Sequence, residues 1–276
     1  MPELPEAEVI CRQLRANLLG STITCIHLDR EDIIRSGLVN RSWYQGATIL
    51  AIHRIGKCLL WTCAKPPEHR YILVELGMTG SVLFNPAAHG LSTHVHAKIM
   101  LEGCRQSCVY YWNPRRFGGI HLLTPTEWET WKPRRDGVDP LTITRHEFHQ
   151  LIQASRGRIK NLLMNQRKVA GLGNIYTNEL LFRAGIHPHA RSCQLSPAKV
   201  DRLFTAMQTI LRKAIACHGS TIRDFRRPDG SSGRYQRYHT VYQKAGAPCP
   251  HGCGSTIRRV ITDRSSFYCP VCQPLE

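Results

Sequence analysis

Between residues 22 and 124, hydrophobic and polar positions alternate in short runs that are rich in β-branched and aromatic side chains. A period of two is typical of strands with one buried face. Proline, glycine and asparagine separate the runs, as in Lys65-Pro66-Pro67. The pattern predicts a helix over residues 6–17 and then strands over residues 22–29, 48–64, 71–84, 96–102 and 108–124. Because these strands follow one another without helices between them, we expect an N-terminal β-sandwich with a flanking helix.

Beyond residue 145 the apolar period changes to that of a helix. Helices are predicted over residues 147–154, 159–164 and 174–184. The clearest helix follows them, because Ser196 can cap it, Pro197 stands where proline is tolerated, and its apolar side chains share one face. Residues 224–246 are basic, polar and glycine-bearing, which favours a long loop. The predicted fold class is therefore α+β.

The length of 276 residues suits two ordinary domains, each with a core of its own. A passage rich in proline and aspartate separates the strand-rich part from the helical part. The predicted organisation is a catalytic β-sandwich domain over 1–131, a linker over 132–145, a helical domain with a long loop over 146–244, and a cysteine hairpin over 245–276.

The chain is strongly basic, with 37 Lys and Arg against 20 Asp and Glu and a formal net charge of +17. Such an excess favours a polyanionic partner, nucleic acid foremost. No apolar run approaches the roughly 20 residues that a membrane-spanning helix needs, so we expect no membrane partner. A basic surface that serves solubility alone is the alternative, since net charge does not determine fold.

Eight of the twelve cysteines are scattered, mostly in apolar contexts, and are typical of small buried hydrophobic residues. A disulfide framework is usual in small secreted domains, whereas this chain is long and starts without an export signal. We therefore expect a reducing compartment, the cytoplasm.

The remaining cysteines form two pairs near the C-terminus, Cys249 with Cys253 and Cys269 with Cys272. Two pairs separated by a hairpin-length span can place four thiolates around one structural Zn²⁺ ion. Two alternatives stay open at this point. His251 could replace Cys253 as a ligand, or the cysteines could form disulfides or remain free thiols.

The chain begins Met1-Pro2-Glu3-Leu4-Pro5-Glu6. Removal of Met1 would leave the secondary amine of proline, with a pKa of about 7.7–8.0, beside a carboxylate. An amine that is partly unprotonated at neutral pH can attack an aldehyde-like carbon and form an iminium ion. An ordinary N-terminus with turn prolines is the alternative.

Two further motifs suit DNA. Gly171-Leu172-Gly173 opens a predicted helix, where small residues and outward amides can receive a phosphate. Residues 113–118 place an arginine and an aromatic at a hairpin tip, which could insert into a base stack. A glycine turn between packed helices and an ordinary turn before a core phenylalanine are the alternatives.

These motifs occur together in one order, and the chain resembles the bacterial formamidopyrimidine-DNA glycosylases, which remove oxidised purines. The similarity spans essentially the full length. Besides the Pro-Glu-Leu-Pro-Glu start, it rests on Arg54-Ile55-Gly56-Lys57, Leu76-Gly77-Met78-Thr79-Gly80-Ser81, residues 113–118, 169–179 and 229–230, and Arg264-Ser265-Ser266-Phe267-Tyr268-Cys269. The resemblance implies a helix-two-turn-helix domain and a zinc ribbon after the β-sandwich.

The resemblance also implies catalytic roles. Pro2 would attack C1′ of the damaged nucleotide, form a Schiff base and allow β- and δ-elimination. Glu3 would protonate the sugar ring oxygen and then shuttle protons, with Glu6 as its supporting neighbour. Lys57 and Arg264 would contact phosphates at the catalytic centre. Without the resemblance, Lys57 resembles a strand lysine that reaches solvent, and Glu6 a helix-start charge.

Six more residues are implied as DNA contacts: Met78, His94, Arg115, Phe117, Lys160 and Asn174. Three of them, Met78, Arg115 and Phe117, match the side chains that fill the gap left by an extruded nucleotide, although Met78 alone would suit a core. Extrusion is needed because C1′ is out of reach in a stacked duplex. The expected partner is double-stranded DNA with oxidised bases or abasic sites, bound by a monomer.

The chain departs from the family pattern at four places. Asn113 stands where aspartate is usual, Glu75 where histidine is common, and Gln243 where glycine is common. Residues 235–239 change the loop that would cover the flipped base. We expect these departures to affect lesion preference more than catalysis.

The leading hypothesis is a bifunctional DNA glycosylase and abasic-site lyase that acts on oxidised purines. An endonuclease VIII-like preference for oxidised pyrimidines is one alternative, but that branch usually has glycine where this chain has Leu4. A non-catalytic DNA-binding protein is another. Retention of both Pro2 and Glu3 weighs against it, because a binding protein needs neither.

Overall fold

The computed structural model describes residues 2–132, 137–261 and 264–275. These residues pack into two compact units. The N-terminal unit takes the described residues up to 132 together with the later segment Cys217–Gln236, and the C-terminal unit takes the others. Residues 133–136 of the predicted linker and 262–263 of the predicted hairpin lie outside the described residues.

The N-terminal unit consists of helix α1 (Leu4–Leu18), a nine-stranded sheet and helix α2 (Pro125–Trp131). The strands are β1 (Thr22–Leu28), β2 (Ile34–Ser36), β3 (Ala47–Ile55), β4 (Cys58–Lys65), β5 (Glu68–Glu75), β6 (Ser81–Leu83), β7 (Val95–Glu102), β8 (Cys108–Trp112) and β9 (Gly119–Leu123). They lie in the order β2-β9-β5-β4-β3-β1-β7-β8-β6. Neighbours are antiparallel except β2 and β9, which are parallel.

Helix α1 and strands from both ends of the sheet share one hydrophobic core. Ile10 and Leu14 of α1, Trp61 of β4, Val109 of β8 and Ile120 of β9 are all buried in it. A core shared by the two ends of a sheet is the two-layer arrangement of a β-sandwich. The predicted N-terminal β-sandwich with its flanking helix is therefore confirmed.

Three of the predicted strands are wrong in extent, because each is interrupted by a turn. The predicted strand 48–64 is the β3–β4 hairpin, and its two-residue turn is Gly56-Lys57, with Gly56 at φ +57°. Residues 71–84 form β5, a turn and β6, while residues 108–124 form β8, a loop and β9. Apolar composition continues across these turns, so periodicity alone did not reveal them.

The C-terminal unit contains helices α3 (Arg145–Gln153), α4 (Ile159–Met164), α5 (Asn174–Ala184) and α6 (Pro197–Ala216). These helices confirm the predicted helical part of the fold. Two short strands, β10 (Arg258–Ile261) and β11 (Ser265–Tyr268), pair antiparallel as the cysteine hairpin. Within the described part of the chain, no helix is long and apolar enough to cross a membrane.

Candidate catalytic site and DNA interface

The N-terminal motif builds the first turn of α1, which begins two residues earlier than predicted. Glu3 is the N-cap residue, and its backbone N–H donates a hydrogen bond to Glu6 Oε2 at 2.8 Å. The backbone N–H of Ser220 donates to the other oxygen of Glu6 at 2.7 Å. Pro2, Glu3 and Glu6 are all buried. Two amides on one buried carboxylate fix the backbone that carries Pro2 and Glu3.

The segment Cys217–Gln236 supplies the second amide, because it passes close to α1. A Cβ atom on Gly219, whose φ is +77°, would lie 3.0 Å from Glu6 Cγ, so glycine allows this approach. The side chain of Gln236 forms hydrogen bonds with two other residues of the same segment. Its Oε1 accepts from the N–H of Thr221 at 3.1 Å, and its Nε2 donates to a carbonyl of the same segment at 2.9 Å.

Lys57 is half-buried at the tip of the β3–β4 hairpin and not within a strand. The turn is tied down by Arg54, whose guanidinium donates to the carbonyl of Gly56 at 3.1 Å. The same guanidinium donates to Glu8 Oε2 on α1 at 3.0 Å. The turn with Lys57 is therefore connected to the helix whose N-terminus carries Pro2.

Met78, Arg115 and Phe117 lie on two neighbouring loops, and the structure brings these loops together. Thr79 Oγ1 donates to Asn113 Oδ1 at 2.8 Å and accepts from the N–H of Arg115 at 3.2 Å. Met78 is half-buried, whereas Phe117 is 61% exposed with the Arg115 guanidinium 5.0 Å from its ring centre. An exposed aromatic beside an arginine is the arrangement that a base-stack wedge requires.

Glycines allow the backbones of these loops to touch. A Cβ atom on Gly77 would lie 2.5 Å from the nitrogen of Gly118, and one on Gly118 would lie 2.0 Å from a carbonyl oxygen of β5. On the other side, Arg35 donates to the carbonyl of Arg116 at 2.6 Å and to that of Gly118 at 2.9 Å. Residues 113–118, named the wedge loop below, are thus held from both sides of Phe117.

His94 is exposed in the turn before β7, and its carbonyl accepts from the N–H of Asn113 at 3.0 Å. Asn113 is buried, and its amide donates to the hydroxyl of Tyr111 at 2.9 Å. Burial raises the pKa of the Tyr111 hydroxyl, which stays neutral and donates to the carbonyl of Glu75 at 2.8 Å. This neutral network, with Thr79, was not predicted from the sequence.

In the C-terminal unit, α4 and α5 hold the cysteine hairpin. Lys160 is only 3% exposed, and its ammonium donates to the carbonyl of Ser265 at 2.8 Å and to Ser266 Oγ at 2.7 Å. Asn178 accepts from the N–H of Phe267 at 2.7 Å. The structure therefore directs Lys160 toward β11, although the resemblance implied a phosphate contact.

Asn174 is the half-buried first residue of α5, at the positive end of the helix dipole. The turn before it is held by Gln166, which accepts from the N–H of Gly171 at 2.9 Å and donates to the carbonyl of Leu172 at 2.7 Å. Arg264 lies exposed directly before β11. A helix start and an exposed arginine are both suited to phosphate oxygens.

Four thiols of the hairpin converge, with all sulfur atoms within 4.8 Å of one another. Two of the sulfur–sulfur distances, 3.4 and 3.7 Å, far exceed a disulfide bond and approach the edge of about 3.8 Å for a tetrahedron of thiolates around zinc. His251 lies outside this group of sulfur atoms and stacks on Phe182, with the two ring centres 4.6 Å apart. The group consists of Cys249, Cys253, Cys269 and Cys272.

Comparison with known proteins first defines the class. The model of the formamidopyrimidine-DNA glycosylase N-terminal domain matches residues 1–120, and that of the H2TH domain of the same enzymes matches residues 137–226. Both parts of the chain therefore belong to a DNA glycosylase of base-excision repair.

Curated relatives and solved structures identify the family. The formamidopyrimidine-DNA glycosylases of Alkalilimnicola ehrlichii and Thermomicrobium roseum are each 38% identical, over 99% and 100% of this chain and all of theirs. The MutM (Fpg) structure from Thermus thermophilus matches all of both chains at 34% identity with a TM-score of 0.85. Lactococcus lactis Fpg bound to DNA with an abasic site matches 99% of each chain at 29% identity and 0.85. The chain belongs to the formamidopyrimidine-DNA glycosylase family.

Proposed function

We propose that this protein excises 8-oxoguanine and formamidopyrimidines from duplex DNA and then cleaves the strand through a Schiff base at Pro2. The observation that carries this proposal is the buried start of α1, where Glu6 accepts from two amides and fixes the adjacent Pro2 and Glu3. The family assignment supports the same reaction, since the curated relatives named above are formamidopyrimidine-DNA glycosylases.

In the proposed reaction, the nitrogen of Pro2, freed of Met1, forms a bond to C1′ while the bond from C1′ to the base breaks. The base leaves with that electron pair and takes up a proton. The Pro2 nitrogen gives up its remaining proton, Glu3 protonates the sugar ring oxygen, and the bond from C1′ to that oxygen breaks, so the ring opens and the Pro2–C1′ bond becomes an iminium. Glu3 then shuttles the protons of β- and δ-elimination, which release the 3′ and 5′ phosphates, and water hydrolyses the remaining iminium.

The reacting carbon must first leave the duplex, at a cost of a few kcal/mol of stacking and pairing. We assign Met78, Arg115 and Phe117 to the vacated space, since Arg115 and Phe117 are exposed and their loop is braced against that of Met78. Phosphate contacts would offset the cost. We assign them to Lys57, His94, Asn174 and Arg264, whereas Lys160, which the resemblance also implied, is buried and bonded to β11.

We also propose that the four-cysteine group binds one structural Zn²⁺ ion. The donor set fits, since thiolates are preferred ligands of zinc and no position of the tetrahedron stays open for a substrate. Hydrogen bonding supports a thiolate at Cys269. Burial alone would raise its pKa, but the backbone N–H of Cys272 and the neighbouring thiol of Cys253 lower it to about 7.

We further propose that the protein works as a monomer in the bacterial cytoplasm. The chromosome lies there, and thiols stay reduced and free to bind zinc.

The test is borohydride trapping on a duplex that contains 8-oxoguanine, with protein prepared with Met1 retained and the same protein after treatment with methionine aminopeptidase. A covalent protein–DNA adduct is expected only after the treatment, and peptide mapping should locate it on Pro2. Equal trapping with Met1 retained would contradict the proposed nucleophile. DNA binding without any adduct, on oxidised or abasic duplexes, would favour a non-catalytic binding protein.

A further inference from the structure

Arg54 is an arginine of β3 that the catalytic chemistry does not use. Its side chain is 6% exposed, and its Nε donates to Glu8 on α1 at 3.0 Å. Its Nη1 donates to the carbonyl of Gly56 at 3.1 Å. One guanidinium thus contacts the helix that carries Pro2 and Glu3 and the peptide unit that precedes Lys57.

The position of Lys57 depends on this contact, because the lysine occupies a two-residue turn. Such turns project from the sheet and are more mobile than the strands that they join. The planar guanidinium presents its donors in a fixed fork, so it holds two acceptors in a set geometry, whereas a lysine ammonium carries rotatable donors on a flexible stem. A buried guanidinium that bridges α1 and the turn therefore restricts where the Lys57 ammonium can lie.

Glu8 is held by two arginines of different kinds. Arg12, one turn along α1, donates to Glu8 Oε1 at 2.7 Å but is 60% exposed, and such surface pairs contribute little. The side chain of Arg54 is buried, and its second hydrogen bond, to the carbonyl of Gly56, fixes its orientation. Its ion pair with Glu8 therefore has a defined geometry. Arg12 is therefore a matched control, since it contacts the same carboxylate without contacting the turn residue Gly56.

We infer that Arg54, held by Glu8, is a positioning residue that sets Lys57 against the DNA phosphate at the catalytic centre. The inference rests on the proposed role of Lys57 as a phosphate contact. It adds two residues, Glu8 and Arg54, which bind no DNA themselves and act through the Gly56-Lys57 turn.

The experiment measures the salt dependence of binding to a duplex with a tetrahydrofuran abasic analogue, for wild type, Lys57→Met, Arg54→Met, the double variant and Arg12→Met. Removal of one lysine–phosphate ion pair should lower the slope of log K against log salt by about 0.9. In Lys57→Met and in Arg54→Met the slope should become less steep by about that amount. The double variant should show no larger decrease in steepness than either single variant. Arg12→Met should keep the wild-type slope.

Single-turnover borohydride trapping on an abasic duplex provides the second measurement. Lys57→Met and Arg54→Met should slow trapping by a similar factor, about tenfold, again without a further decrease in the double variant. Glu8→Gln keeps the charge of Arg54 and weakens its anchor, together with the exposed pair to Arg12 that the Arg12→Met control removes on its own, and it should slow trapping about threefold. That variant decides the question if Arg54→Met does not fold.

The outcomes separate the inference from the function on which it rests. If Lys57→Met lowers both DNA binding and trapping while Arg54→Met and Glu8→Gln behave like wild type, the inference is overturned and the proposed role of Lys57 stands. A double variant whose slope falls by about twice as much also overturns it, because Arg54 would then contact a phosphate directly. If Lys57→Met changes neither measurement, the proposed role of Lys57 fails, and the inference fails with it.

Discussion

Glu6 accepts hydrogen bonds from the backbone N–H groups of Glu3 and Ser220, one on each carboxylate oxygen. Glutamine at this position has one acceptor oxygen, and its NH₂ group would face an amide N–H. We expect Glu6→Gln to lower the free energy of unfolding by about 1–3 kcal/mol, because one buried donor is left without its acceptor. Trapping should slow by about tenfold or more, since the backbone of Glu3 is no longer fixed. Urea unfolding and single-turnover trapping measure the two effects.

The matched control for this substitution is Glu31→Gln, which alters an exposed glutamate in the same unit. It should change neither measurement. Trapping by Glu6→Gln at the wild-type rate would show that the two amide bonds do not position Glu3.

Lys160 is predicted to stabilise the cysteine hairpin through its bonds to Ser265 and Ser266. Lys160→Met keeps the length of the side chain but leaves two hairpin oxygens without this donor. We expect the free energy of unfolding to fall by about 2 kcal/mol, with weaker DNA binding as a consequence. Lys168→Met, at an exposed lysine of the same unit, should leave stability unchanged. Equal stability of the two variants in thermal denaturation would contradict this role.

Some site residues could be predicted from the sequence because their chemistry is local. Pro2 and Glu3 are adjacent, and the four cysteines of the hairpin come in close pairs. The supporting contacts could not, because they join distant positions. The bond from Thr79 to Asn113 spans 34 residues and that from Arg54 to Glu8 spans 46, and no periodicity links such pairs.

At the scale of elements, the wedge loop depends on Arg35, which donates to carbonyls on both sides of Phe117. Arg35→Met should leave the strands in place but loosen the loop. We expect excision from a fully paired duplex to slow by about tenfold, because a mobile wedge opposes the return of the extruded base less effectively. Fluorescence of 2-aminopurine beside the lesion reports extrusion directly and should fall in the same variant.

Substrates that need no extrusion provide the control for Arg35. An abasic site in single-stranded DNA should be cleaved by Arg35→Met at nearly the wild-type rate. Arg30→Met, which removes a neighbouring exposed arginine paired with Asp32, should resemble wild type on every substrate. An equal defect on single-stranded DNA would mean that Arg35 acts on folding and not on the wedge.

Helices were easier to predict than strands for a physical reason. The ends of α4 and α5 coincide with the prediction, and those of α5 are marked locally by Gly173 and Gly185. Strand ends are set by pairing partners elsewhere in the chain. For this reason the prediction placed the Gly56-Lys57 turn inside one continuous strand. Strand β2 was missed because three residues are too few to show a period. Helix α2 was missed although Thr124 and Glu127 form a capping box that the sequence displays.

At the scale of the whole molecule, removal of the metal should affect the two units differently. All five tryptophans of the chain lie in the N-terminal unit, so their fluorescence reports on that unit alone: Trp43, Trp61, Trp112, Trp128 and Trp131. Chelation should weaken DNA binding by about tenfold or more, because metal binding supplies folding energy to the hairpin. The tryptophan emission should not change. Elemental analysis should verify that the metal has been removed. An unaltered DNA affinity of the metal-free protein would then refute the structural role.

Acid should weaken the N-terminal unit partly through Glu8. Burial alone raises the pKa of Glu8, but the hydrogen bond from Arg12 and the charge of Arg54 outweigh it and hold the pKa below its usual range. A lowered folded-state pKa contributes stability that is present above the unfolded value and is lost as pH falls through the folded value. Wild type should therefore lose more stability than Glu8→Gln between about pH 5 and pH 3, as measured by urea unfolding with tryptophan fluorescence. Parallel decreases would contradict the assignment.

The segment Cys217–Gln236 belongs to the N-terminal unit although the helical part of the other unit, described from residue 137 to residue 216, precedes it. During synthesis, the amide of Ser220 that binds Glu6 emerges from the ribosome only after most of the chain has been translated. A nascent chain that stalls within the helical region therefore has Pro2 and Glu3 but lacks one of the two bonds that fix them. Only molecules in which residue 220 has emerged from the ribosome can therefore form both of the bonds that fix the amine and its carboxylate.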